Sequence, residues 1–71
     1  MSEEEYVELF MIALKENGFS QVESAEVQSD YPLQKKRVIF YGGGMFCAFS
    51  MDLIKEVVEL GLENGEIKND R

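Results

Sequence analysis

Residues 35–50 read Lys35-Lys36-Arg37-Val38-Ile39-Phe40-Tyr41-Gly42-Gly43-Gly44-Met45-Phe46-Cys47-Ala48-Phe49-Ser50, and the way this stretch folds on itself decides the fold. Val38 to Tyr41 is an unbroken β-branched and aromatic run, apolar on both faces, which suits a central strand. Gly42-Gly43-Gly44 can take the positive φ values of a tight turn. Met45 to Phe49 then returns as a second strand, again apolar on both sides, and the two predict an antiparallel hairpin. With the glycines as the loop, alternation sorts the side chains into Val38, Phe40, Phe46 and Ala48 on one face and Ile39, Tyr41, Met45, Cys47 and Phe49 on the other.

Upstream, Gln21 to Ser29 alternates weakly, with Ala25 and Val27 on one side and Val22 on the other; its Glu23, Ser24, Glu26 and Gln28 suit an edge strand. Asp30-Tyr31-Pro32-Leu33 reads as a turn, because proline fixes its own φ and drives the residue before it out of the helical region. Further out, Ser2 and Glu5 match a capping box, in which hydroxyl and carboxylate satisfy N–H groups that the first helical turn leaves unpaired. Tyr6, Val7, Leu9, Phe10, Met11, Ala13 and Leu14 then share an apolar arc of about 200°, and Asn17-Gly18 supplies the stop. Ser50 caps a second helix, whose Met51, Leu53, Ile54, Val57, Val58, Leu60, Gly61 and Leu62 form an equally wide arc before Asn64-Gly65. The expectation is a single α+β domain over residues 1–65 in the order helix, three-stranded antiparallel meander, helix, with two helices packed on the sheet. Residues 66–71 are expected to be a solvated tail, with Ile67 as the one residue able to fold back.

A chain of 71 residues has material for one core only. Its lone Cys47 permits no internal disulfide, the staple that secreted domains of this size commonly need, which favours a reducing, cytoplasmic setting. No apolar run nears the roughly 18 residues of a spanning helix, and the acidic opening Met1-Ser2-Glu3-Glu4-Glu5 is unlike a signal peptide, so no membrane partner is expected. Seven Lys and Arg against fourteen Asp and Glu leave a net charge of −7. Such a field repels phosphate backbones, so direct nucleic-acid binding is not expected either.

The chain contains no histidine, which removes the usual general base at neutral pH, the familiar nucleophilic triads and nearly every transition-metal site. No catalytic residue, metal ligand or cofactor is therefore assigned. Cys47 lies between Phe46 and Ala48, where a thiol behaves as a small hydrophobe. The glycine run lacks the Lys-Ser/Thr and the helix that would make it a phosphate loop. Lys35-Lys36-Arg37 is too small a cluster to hold nucleic acid, and cross-strand pairing with Glu23 and Glu26 is expected of it. The element order is similar to that of double-stranded-RNA-binding domains. That family opens its second helix with a lysine cluster, and this chain has Ser50-Met51-Asp52-Leu53-Ile54-Lys55-Glu56 there, so the likeness implies architecture and not RNA binding.

What remains is a surplus of apolar surface. Two helices on one face of a sheet cover that face alone, and leaving several large side chains wet forfeits about 1.5–3 kcal/mol apiece. The expectation is a small acidic non-catalytic regulatory or adaptor protein that associates with a protein partner or with itself through Val38, Phe40, Phe46 and Ala48. The alternative is an acidic phage-type inhibitor that occupies a basic nucleic-acid-binding surface on a target. Its contacts would be Glu4, Glu5, Glu8 and Glu16 on the first helix and Asp52, Glu56, Glu59 and Glu63 on the second. Ile12, apolar amid Glu5, Glu8 and Glu16, is a further contact candidate.

Overall fold

A computed structural model describes residues 1–30 and 35–68. Five elements follow in order: α1 (Glu3–Glu16), β1 (Ser24–Asp30), β2 (Lys35–Gly42), β3 (Met45–Ser50) and α2 (Met51–Glu63). The strands form one antiparallel sheet in the order β1-β2-β3, so the chain is the α+β helix, meander, helix expected of it.

Local chemistry sets the helix ends. Ser2 Oγ accepts the Glu5 N–H at 3.2 Å, and the Glu5 carboxylate accepts the Ser2 N–H at 3.4 Å, completing the capping box of α1. Ser50 Oγ accepts the Leu53 N–H at 3.1 Å and starts α2. That helix closes with the Glu66 N–H donating to the Gly61 carbonyl at 2.8 Å, past Gly65 at φ 76°. The closure turns the chain back, and Ile67 packs on the core. A Cβ on Gly61 would sit 2.5 Å from Ile67 Cδ1, so the missing side chain makes room for Ile67. The segment expected to be solvated from Glu66 onward is thus anchored at Ile67; residues 69–71 lie outside the described residues.

The hairpin turn corrects the expected faces. Gly43 and Gly44 have φ of 59° and 76° and form a two-residue turn, with Gly42 paired to Met45 as the last rung of the ladder. Gly42 therefore belongs to β2, and moving it out of the loop shifts the register by one residue, which exchanges the faces of one strand relative to the other. Val38 pairs with Phe49 and Phe40 with Cys47, while Ile39 pairs with Ala48 and Tyr41 with Phe46. Val38 and Phe40 do not share a face with Phe46 and Ala48; both are 0% exposed.

The core comprises Leu9, Phe10, Val22, Val38, Phe40, Met51, Ile54 and Val58. Phe10 binds it together, with ring centroids 5.4 Å from Phe40 and 5.0 Å from Phe49. Both helices therefore rest on the sheet face that carries Phe40. Val22, expected on the far side of the first strand, is buried in this core just before β1 begins. The turn expected at 30–33 falls mainly on 31–34, outside the described residues.

The basic cluster also pairs differently from expectation. Arg37 lies opposite Gln28, Lys36 opposite Ser29 and Lys35 opposite Asp30, whereas Glu26 faces Ile39 and Glu23 precedes the strand. Lys36 shares the helix-covered face with Val38 and Phe40, and so reaches up to Glu3 at 2.7 Å. Glu3 also meets Lys55 at 3.4 Å, and the Tyr6 hydroxyl donates to Glu59 at 2.7 Å. These contacts step along both helices in the same direction, so α1 and α2 lie side by side and parallel. Contacts from α2 reach β2 and β3, while Val7 of α1 shares a groove with Ala25 and Val27 of β1.

Candidate functional site

The sheet face turned away from the helices is built from alternate residues of all three strands. Across it run the rows Ser24, Tyr41, Phe46; Glu26, Ile39, Ala48; and Gln28, Arg37, Ser50. Its β1 side is polar, and its β2 and β3 positions are apolar in the first two rows and polar, Arg37 and Ser50, in the third. Phe46 is 73% exposed, and Tyr41 and Ala48 are exposed as well; Ile39 is half-buried among them. The rings of Tyr41 and Phe46 lie 6.4 Å apart, and the Tyr41 hydroxyl donates to Glu26 at 3.1 Å. That bond fixes the ring against the sheet and, by stabilising the protonated phenol beside a carboxylate, raises the tyrosine pKa.

Of the sheet-face residues read from the sequence, Phe46 and Ala48 lie on this open surface and Val38 and Phe40 do not. Ile39 and Tyr41 take their places. The signal was present in the glycines: a two-residue turn accommodates φ > 0 at both central positions, and Gly43-Gly44 satisfies it, leaving Gly42 free to pair.

Apolar exposure continues around the β3 edge. Met45, on the helix side of the same strand, is 59% exposed, and on α2 Leu53, Val57 and Leu60 are 42%, 37% and 50% exposed. At about 100° per residue these three share one flank of α2. The opposite flank carries Lys55 and Glu59, which face α1, and the side between carries Ile54, Val58 and Gly61, which face inward. The exposed stripe therefore overhangs β3 on the side away from α1. The sequence places all three in one apolar arc with Met51, Ile54, Val58, Gly61 and Leu62, and nothing in that arc marks which of its residues stay exposed. A three-stranded sheet shared by two helices is too narrow to cover it.

The acidic candidates occupy the helix layer, across the molecule from the open sheet face. Glu4, Glu8, Glu16, Asp52, Glu56 and Glu63 are exposed. Glu5 is engaged in the α1 cap and Glu59 holds Tyr6, so these two have structural work already. Ile12 is half exposed and lines a groove with Leu9, Ala13, Glu16, Glu66, Ile67 and Lys68, so the returning C-terminal segment gives it one apolar neighbour and two charged ones. Cys47 is half-buried on the helix-covered face, and burial pushes its thiol pKa up, the opposite of what activates a nucleophile. Among the described residues, no helix is long and apolar enough to cross a membrane. Comparison with known protein families, characterised proteins and solved structures finds no match for this chain.

Proposed function

We propose that this is a non-catalytic regulatory or adaptor protein that acts by associating with protein, through the open apolar face formed by Ile39, Tyr41, Phe46 and Ala48. The observation that carries this is Phe46, an aromatic side chain 73% exposed on the edge strand β3 beside Tyr41. Burying a side chain of this size is worth about 1.5–3 kcal/mol to whatever covers it, and aromatic residues of this kind are typical anchors of protein interfaces. The polar β1 side, with Glu26 and Gln28, fits the rim of such a patch.

A second reading is supported by the helix layer. Its exposed carboxylates on a chain of net charge −7 suit an acidic inhibitor that occupies a basic nucleic-acid-binding surface on a target. The two surfaces lie on opposite sides of the molecule and can be altered separately. Affinity capture from the host, using the wild type, Ile39→Thr/Phe46→Ser and Glu56→Lys/Glu63→Lys, separates them. Association through the sheet predicts that the first variant loses the partner, that the second keeps it, and that the complex survives about 1 M salt, where the screening length is only ~3 Å. Loss in the second variant and in salt alone would transfer the function to the acidic face.

A further inference from the structure

We infer that the chain is a twofold homodimer in which the open edges of two β3 strands pair antiparallel and the two α2 flanks meet beside them. This rests on the association reading above, and it names the partner and a surface next to the sheet face.

The inference begins with the turn. Gly42 and Met45 flank a two-residue turn and exchange the hydrogen bond that closes it, so by alternation Cys47 and Phe49 also direct their N–H and C=O groups at β2. Phe46, Ala48 and Ser50 direct theirs outward from the sheet. An antiparallel strand added at this edge must use those residues. Because hydrogen-bond direction and side-chain face alternate together, a second β3 that pairs through its own Phe46, Ala48 and Ser50 keeps both helix layers on the same side. The stripes of Leu53, Val57 and Leu60 are then brought toward each other across the axis.

Charge makes this flank the place where a second copy can sit. A chain at −7 repels itself over most of its surface. Met45 to Ser50 contains no charged side chain, and the α2 stripe is Leu53, Val57 and Leu60 with the exposed Glu56 beside it, so two copies can meet on apolar surface with their carboxylates left at the rim. The other sheet edge is guarded, since β1 carries Glu26 and Asp30, the kind of residue that keeps edge strands from pairing. A stable pair buries about 800 Å² per partner, roughly a sixth of the 5094 Å² surface. The result is a continuous sheet whose two apolar outer faces, each with its Phe46, adjoin.

Sedimentation equilibrium and amide exchange on the full chain test this. The wild type should sediment at twice its 8.1-kDa mass, and Leu53→Glu/Leu60→Glu should sediment as a monomer with an unchanged circular dichroism spectrum. Val27→Thr, on the edge strand β1 at the opposite side of the sheet, should remain dimeric. The Phe46 and Ala48 amides should exchange about tenfold or more slowly in the dimer than after dilution to monomer, while those of Cys47 and Phe49 stay protected throughout. A wild type that stays monomeric up to about 1 mM, a range in which even weak specific pairs form, overturns the dimer. It would leave a different protein on the sheet face intact as a reading. A dimer in which Phe46 and Ala48 exchange freely, or which Val27→Thr abolishes and Leu53→Glu/Leu60→Glu does not, places the contact elsewhere and also overturns it. Should the double variant fail to fold, the exchange rates of the wild type decide alone.

Discussion

Phe40 and Phe46 are chemically identical and six residues apart, and the structure gives them opposite fates. Phe40 is fully buried against Phe10, whereas Phe46 is 73% exposed. Removing a buried phenylalanine costs both transfer energy and a cavity, so Phe40→Ala should destabilise the fold by about 3–5 kcal/mol in urea unfolding. Phe46→Ala, measured under dissociating conditions, should fall within about 0.5 kcal/mol of the wild type. Similar losses for both would mean that the register is wrong. Gly42 makes the same point from the backbone. A Cβ there would lie 1.9 Å from the Gln21 carbonyl oxygen, and backbone cannot step aside as a flexible side chain does. Gly42→Ala should therefore destabilise by on the order of 1–3 kcal/mol through overpacking. At Gly44 nothing lies within 4 Å of an added Cβ, so Gly44→Ala meets only the strain of a positive φ, about 1 kcal/mol. Urea midpoints for the two variants check the order.

At the scale of elements, the sequence stated more about existence than about contact. The capping box at Ser2 and Glu5, the cap at Ser50 and the stops at Gly18 and Gly65 are local chemistry, and each is visible in a few consecutive letters. Register depends on a single residue, Gly42, which three consecutive glycines allow to be read either into the loop or into the strand; Gly43 and Gly44 take the positive φ values and leave Gly42 to pair with Met45. The tie from Glu3 to Lys36 and Lys55 spans 33 and 52 positions, and no local pattern announces it. The Lys36 ammonium beside Glu3 holds its carboxyl below the ordinary carboxylate range, with Lys55 adding to the effect. A lowered folded-state pKa means that the stabilisation is present in full above the unfolded value and is lost as pH falls through the folded one. The difference in stability between the wild type and Glu3→Gln should therefore close on acidification and be small and salt-sensitive at neutral pH, because the pair is exposed. A gap that persisted at low pH would show that the carboxylate charge is not its source. The α2 stripe was illegible for a different reason. Leu53, Val57 and Leu60 look like core letters in any helix, and only the width of the sheet beneath decides that they are not.

For the molecule as a whole, the layers are unequal. One side is a pair of parallel helices studded with carboxylates, and the other is a bare sheet, polar at β1 and apolar toward β3. That asymmetry follows from an antiparallel meander whose central strand is apolar on both faces while both helices are delivered to one side. The sequence alone exposes the surplus of apolar β residues, and the structure identifies which of them are left uncovered. The most direct measurement is site-specific photo-crosslinking in living host cells, with the reactive amino acid placed at Ala48 on the sheet face and, separately, at Glu56 on the helix layer. Association through the sheet predicts adducts from position 48, to this chain or to another protein, with little from position 56. Adducts from position 56 alone, or from neither position, would contradict it.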